Sequence, residues 1–299
     1  MTQITLRDAF GGGALPIIDA VDVGASPLDG APRWRALSDA GLMRVWGFEP
    51  DDVQFARLQD SAPMGFTPIQ AALGRGGPAT LHIARYPGNT SLYAPDETLI
   101  NLFTGIGAET ASGNFAVVDQ KPIETRRLDE FDIPPPAFIK LDVQGAELDV
   151  MDGAGAALDS VGVLETEALF VPLYKGQPLF GDIQRWFADR GFLLHKVVDL
   201  ASRAYRPVSF GGSSGRAGSQ WLWADAIFIR DPRSDAVWPP LGRLKAAMIL
   251  HELYKSYDLA FALLRSHDDE TGEHRATAYA HALKNTEGLA PWLTNIRHD

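Results

Sequence analysis

Apolar residues follow two rhythms along this chain. Short runs dense in Ile, Val and Phe alternate with segments where apolar positions return every three or four residues. The first run, Ile17 to Val23, stops at Gly24. Trp34 and Leu37 then recur at helical spacing up to Gly41, a helix stop. Met43 to Phe48 reads as a second strand. Asp51 and Asp52 follow where carboxylates favour a helix N-terminus, with Phe55 and Leu58 on one face. Thr67 to Leu73 is a third, weaker strand. Residues 74–135 break the alternation. They are rich in Gly, Pro, Asn and Thr, with β-like pieces at Thr80 to Ile83 and Phe115 to Val118. This predicts an inserted hairpin and loop region, ended stiffly by Pro134-Pro135-Pro136.

Ala137 to Asp142 re-enters as a buried strand. A helix follows with Met151, Ala154 and Leu158 on one face, then a strand over Val161 to Glu167. Ile183, Trp186 and Phe187 mark another helix. Phe192 to Val198 and Trp221 to Ile229 are late strands with no helical pattern between them, so they should pair antiparallel at an edge. Repeated strand–helix alternation predicts an α/β sandwich with a largely parallel sheet. Beyond residue 241, Leu250, Tyr254, Tyr257, Phe261 and Leu264 recur at spacings of 4, 3, 4 and 3, a helical stripe. It reads first as a helix packed on the same domain. The sharper reading is a homodimer contact or a lid. The expected division is a main domain over 1–235, with its insert at about 74–135, and a helical extension over 236–299.

Composition narrows the class. Of 299 residues, 45% are hydrophobic and 22% charged, which argues against disorder. The formal charge of -11 repels phosphate backbones, so no nucleic-acid partner is expected. There is no cysteine, which removes disulfides, cysteine nucleophiles and zinc–thiolate sites and fits a cytoplasmic location. The N-terminal residues lack a signal pattern and no long uncharged apolar run occurs, so no membrane span is expected. No His/Asp/Glu grouping has metal spacing, and no metal is expected.

The first strand–helix turn carries the first chemical signal. It reads Asp22-Val23-Gly24-Ala25-Ser26-Pro27-Leu28-Asp29-Gly30. A dinucleotide fingerprint needs Gly-x-Gly-x-x-Gly, and Ser26 and Asp29 break it. Asp22 and Asp29 are also wrong for a phosphate. S-adenosylmethionine has no phosphate and carries a sulfonium, an ammonium and two ribose hydroxyls. Glu49 ends strand two, 25 residues after Gly24, where a carboxylate can accept both ribose hydroxyls. The plainer alternative is a tight turn plus a surface acid.

The second signal is Phe138-Ile139-Lys140-Leu141-Asp142-Val143-Gln144-Gly145-Ala146-Glu147. Asp142 closes a central strand, Gly145 permits a sharp turn, and Glu147 enters the first helical turn. The three polar groups Asp142, Gln144 and Glu147 should crowd a cleft mouth, although Glu147 could simply cap its own helix.

Lys140 to Glu147 resembles the signature of the FkbM-type methyltransferases. Asp22-Val23-Gly24-Ala25, Phe48-Glu49-Pro50, Thr90-Ser91-Leu92, Arg127-Leu128-Asp129 and Thr166-Glu167 with Pro172-Leu173-Tyr174 follow in order. The resemblance covers about residues 17–230. It implies a Rossmann-like class I methyltransferase sandwich with a mostly parallel seven-stranded sheet. It also implies S-adenosyl-L-methionine as cofactor and methylation of a hydroxyl on a sugar, glycan or related small metabolite. Carried over, Asp22, Gly24, Ala25 and Ser26 line the methionine part. Glu49, with Pro50 beside it, holds the ribose. Ala71, Ala72 and Leu73 sit by the adenine, and Ser91 caps the site. Asp142 and Gln144 face the reacting centre, and together with Val143 and Glu147 they are expected to bind the cofactor. The first loop departs from Gly-Ala-Asn-x-Gly, which leaves Gly30 without a clear counterpart.

An alcohol is a poor nucleophile and loses a proton as it is methylated, so a base helps. Asp142, Glu167, His195 and His82 are the candidates. Glu167, at a strand end beside the cleft, ranks first. Glu165 points the same way and is a spare. His195 reads first as a core histidine and His82 as a solvated hairpin residue. The loop Gly211-Gly212-Ser213-Ser214-Gly215-Arg216 is a gate or a plain loop. Trp221 and Trp223 are core or edge residues first and sugar-stacking residues second. Two other classes stay open: a nicotinamide-dependent oxidoreductase, against which the broken glycine pattern counts, and a non-catalytic binding protein that keeps the fold.

Overall fold

The computed structural model describes residues 6–26, 28, 30–109, 113–210, 218–233 and 238–285. Pro27, Asp29 and the Gly211 to Arg216 loop lie outside the described residues. In chain order the first elements are α1 (Leu6–Ala9), β1 (Ile18–Val23), α2 (Arg35–Asp39), β2 (Met43–Phe48), α3 (Asp52–Ser61) and β3 (Phe66–Ile69). The insert holds β4 (Ala72–Leu73), β5 (Gly77–Ala84), α4 (Glu97–Ile100) and β6 (Val117–Arg126). Then come β7 (Phe138–Leu141), α5 (Glu147–Asp152), β8 (Val163–Leu169), α6 (Phe180–Ala188), β9 (Phe192–Arg203) and β10 (Gln220–Arg230). The chain ends in α7 (Pro240–Tyr254), α8 (Tyr257–Thr271) and α9 (Arg275–Lys284).

The main sheet has seven strands in the order β3-β2-β1-β7-β8-β10-β9. β1 pairs in parallel with β2 on one side and β7 on the other. The chain winds outward from β1, then returns across it. Strand order therefore reverses between β1 and β7, and a crevice opens beyond their carboxyl ends. β10 inserts antiparallel between β8 and β9, as the missing helical pattern between those strands implies.

The central strands are rich in apolar residues because helices cover both faces. Ala20, Val45, Phe138 and Ile227 point to one side, and Val21, Ile139, Leu164 and Phe228 to the other. α5 and α6 cover the second face through Val150, Met151, Ile183 and Phe187. The first face is covered by Trp34, Leu37 and the C-terminal helices, with Leu244, Ala247, Leu250 and Leu264 in the same cluster as Ile18 and Val45. The apolar stripe is thus used within the chain. No helix among the described residues is long and apolar enough to cross a membrane.

Several boundaries differ from the sequence expectation. Thr67 to Leu73 is not one strand: β3 joins the main sheet, while β4 pairs with β6 in a separate sheet ordered β4-β6-β5. The inserted hairpin is longer than its β-like pieces. β6 runs on through Asp119-Gln120-Lys121-Pro122 because most of it faces solvent and needs no apolar residues. The helix holding Met151 stops at Asp152. Gly153 packs so closely that an added Cβ would lie 1.9 Å from the Gly74 carbonyl oxygen, and Leu158 belongs to a following 3₁₀ turn. The 4, 3, 4, 3 stripe crosses a break: Lys255 is left-handed at φ 52, so Tyr254 ends one helix and Tyr257 begins the next. β9 continues past Val198 to Arg203.

Candidate active site

A cavity of about 760 Å³ lies beyond the carboxyl ends of β1, β2, β7 and β8. Its floor is the Gly24 turn. Gly24 has φ +76, and an added Cβ would stand 1.9 Å from the main-chain oxygen of Asp142. Only glycine permits both the conformation and the approach of β1 to β7. The Asp142 amide donates to the Val23 carbonyl at 3.0 Å, and the Gly24 and Ala25 amides both donate to Phe48.

Asp22 is 3% exposed. Its Oδ2 accepts from Trp34 Nε1 at 2.7 Å, while its Oδ1 has no hydrogen-bond partner. Ser26 Oγ is likewise buried and unsatisfied. Two buried polar atoms at the cavity without hydrogen bonds, Asp22 Oδ1 with only Lys140 Nζ 3.6 Å away, call for a ligand that can satisfy them, because burying such groups unbonded is costly. Glu49 ends β2, and its Oε1 accepts from the Asp51 amide at 2.8 Å. Burial pushes its carboxyl up to about 7. Pro50 lies beside it, and Ala71, Ala72 and Leu73 supply an apolar stretch of wall.

The turn after β7 forms the other side. Gln144 adopts φ 56, uncommon for a side-chain-bearing residue, and is followed by Gly145 at φ 102. Its side chain bridges three groups. Nε2 donates to Asp142 Oδ1 at 2.9 Å and to Glu167 Oε2 at 2.7 Å, and Oε1 accepts from the Tyr174 hydroxyl at 2.8 Å. Ser91 Oγ donates to the Gln144 carbonyl at 2.7 Å, which ties the insert to this turn. Burial pushes the Glu167 carboxyl well above its ordinary range, and the charges of Asp142 and Glu147 push the same way.

Two cations balance the acids. Lys140 Nζ stands 3.6 Å from both Asp22 Oδ1 and Asp142 Oδ2. Burial alone would lower its pKa, but those carboxylates outweigh burial and raise it. Arg33 Nη1 donates to Glu165 Oε1 at 2.5 Å and to Asp225 Oδ2 at 3.0 Å, and its Nη2 reaches Asp199.

Asp22, Gly24, Ala25, Ser26, Glu49, Pro50, Ala71, Ala72, Leu73, Ser91, Asp142, Val143, Gln144 and Glu167 all line this one cavity. Glu147 and His195 do not. Glu147 is wholly buried beneath the turn and accepts from the Val143 and Gly145 amides at 3.2 and 3.1 Å. It is a strut for the turn, as its position in the first helical turn allowed. His195 sits on β9 with Nε2 2.8 Å from Ser256 Oγ, facing the break between α7 and α8. His82 meets Ser91 through main-chain bonds and is absent from the cavity wall. Trp223 lines the cavity, whereas Trp221 is 54% exposed. Sequence reasoning missed Lys140 and Arg33 as site residues. Lys140 had a signal: a lone charge inside a buried central strand needs partners.

A sheet of this order, with a glycine turn after β1 and an acid ending β2, defines a Rossmann-like methyltransferase. The chain belongs to the FkbM methyltransferase family: the model of the methyltransferase FkbM domain matches residues 22–194, more than half the chain. That membership sets aside the nicotinamide reading. Among solved structures, the chain is similar to methyltransferase FkbM from Methylobacillus flagellatus KT. The identity is 17% and the TM-score 0.37, over 71% of this chain and 43% of that one. It thus spans less than half of that protein. It is also similar to precorrin-6y C5,15-methyltransferase from Geobacter metallireducens GS-15, with 13% identity and TM-score 0.36 over 73% and 82% of the two chains. A search of curated proteins finds no match. S-adenosylmethionine is the cofactor of such a domain, and the residues present fit it: Asp22 and Ser26 atoms without hydrogen-bond partners and a buried carboxyl at Glu49 line the cavity.

Proposed function

We propose that this chain is an S-adenosylmethionine-dependent O-methyltransferase acting on a hydroxyl of a sugar, glycan or related small metabolite. The observation that carries the reading is the Asp142–Gln144–Glu167 bridge at the cavity wall. In this reading Asp22, Gly24, Ala25 and Ser26 hold the methionine end. Glu49 and Pro50 hold the ribose, and Ala71 to Leu73 flank the adenine. The cofactor, when bound, supplies an electrophilic methyl group. The protein then has to align an acceptor and remove its proton.

Glu167 suits the proton role. A carboxyl raised by burial is a stronger base once ionised than an ordinary one. The Gln144 amide fixes its orientation and keeps Asp142 alongside. Lys140 limits the charge that accumulates between Asp22 and Asp142. Trp223 and the carboxylates of Glu165 and Asp225 offer a ring and hydrogen-bond acceptors to a hydroxyl-rich molecule. The test is transfer of labelled methyl to a panel of sugars, nucleotide sugars and lipid-linked glycans. Label on an acceptor oxygen supports the reading. Label on nitrogen or carbon of the accepted molecule contradicts it.

A further inference from the structure

The C-terminal helices reach the cavity through one side chain. Tyr254, the last residue of α7, is 6% exposed. Its hydroxyl donates to Glu165 Oε2 at 2.5 Å. The other oxygen of Glu165 accepts from Arg33, which also engages Asp225 and Asp199. Arg33 is followed by Trp34, whose ring nitrogen donates to Asp22. One chain of contacts therefore runs from α7 through β8 to the segment that follows the Gly24 turn. Arg33, Trp34 and Glu165 line the cavity, and Tyr254 does not. Tyr254, Asp199 and Asp225 all lie beyond the part of the chain that the family model matches.

The helix end is itself held in place. The Tyr254 carbonyl accepts from Lys196 Nζ at 2.8 Å, and Ser256 Oγ lies 2.8 Å from His195 Nε2. These contacts fix the phenol against β8. A buried carboxylate with a single partner is free to turn. Glu165 has one partner on each oxygen, so its direction is set.

We infer that Tyr254 is a positioning residue of the cofactor cavity: by orienting Glu165 it anchors Arg33, and Arg33 so anchored holds residues 30–34 closed over the cavity. The helical extension is then part of the working unit rather than a neighbour of it.

Two measurements on the full chain decide this. The amides of Arg35, Leu37 and Ser38 are bonded to the carbonyls of Pro32 and Trp34. Their hydrogen exchange reports on the segment without any ligand. Tyr254→Phe removes one hydroxyl and should speed their exchange about fivefold or more, with exchange in β1 and β7 unchanged. The second measurement is S-adenosylhomocysteine dissociation, and only this one rests on the proposed function. It should quicken by roughly tenfold in Tyr254→Phe, the loss of one charge-assisted bond. Adding Tyr254→Phe to Arg33→Ala should change nothing further, because both act through Glu165. If Tyr254→Phe folds poorly, Glu165→Gln serves instead, and should loosen the same amides. Unchanged exchange at these amides, or additive effects in the double variant, overturns the inference. Failure of the unaltered protein to bind S-adenosylhomocysteine overturns the proposed function instead and leaves the exchange result to decide the positioning role.

Discussion

Glu49 carries a pH signature. Burial raises its carboxyl to about 7, and in the proposed role it accepts the ribose hydroxyls, which would favour its ionised form. S-adenosylhomocysteine affinity should therefore rise with pH between about 6 and 8. Glu49→Gln should weaken binding and flatten that dependence in calorimetric titrations across the range. A second prediction belongs to the reacting end. Glu167→Gln keeps the hydrogen bond with Gln144 in shape but removes the base, so turnover should fall by about a hundredfold with little change in cofactor affinity. A variant with full turnover would take Glu167 out of the proton role. Single residues differed in how well the sequence exposed them. Gly24, Glu49 and Asp142 stood at strand ends within recognisable turns. Arg33 did not, because its partners Glu165 and Asp225 lie 132 and 192 positions away. His195 looked chemical by type alone, and its contact with Ser256 accounts for its place on β9.

Among elements, the turns of β1 and β7 depend on each other. Gly24→Ala would place a methyl group 1.9 Å from the Asp142 carbonyl and force a left-handed conformation on alanine. A loss of about 3 kcal/mol or more is expected, read as a lowered denaturation midpoint. A midpoint within experimental error of the parent would show that the two strand ends are not so tightly joined. Strands β1, β2, β7 and β8 were legible because they are largely buried and hence rich in apolar residues, with their few charged residues such as Asp22, Lys140 and Glu167 turned toward the site. β6 was not, because a solvent-facing strand tolerates Asp, Gln, Lys and Pro. The stripe from Leu250 to Leu264 kept helical spacing across a break, since α7 and α8 both bury their apolar sides on the same core. Spacing records which residues are buried; it does not record the left-handed Lys255 between them.

For the whole molecule, the acid balance seen in composition has a structural counterpart. Glu49 and Glu147 are both pushed up to about 7 by burial, and Glu165 and Glu167 are raised too. A raised acid binds more protons in the folded state, so its stabilising effect is lost as pH climbs from the unfolded toward the folded pKa. His251 works the other way: burial lowers it to about 4, so it costs stability below its ordinary value of 6.5. Above pH 6.5 the opposing contribution of the buried His251 fades, while Glu49 and Glu147 go on losing protons through about 7. The ligand-free melting temperature should therefore fall between pH 6.5 and 8, and a rise would contradict the burial of these carboxylates.

The central claim is that the cavity between β1 and β7 holds S-adenosylmethionine, with Glu49 on its ribose. The most direct measurement is calorimetric titration of S-adenosylhomocysteine into the parent protein and into Glu49→Ala at pH 7.5. The account predicts saturable one-to-one binding to the parent and affinity weakened by about tenfold or more in the variant, the loss expected for a charge-assisted hydrogen bond. No binding to the parent, or equal affinity in both, would contradict it.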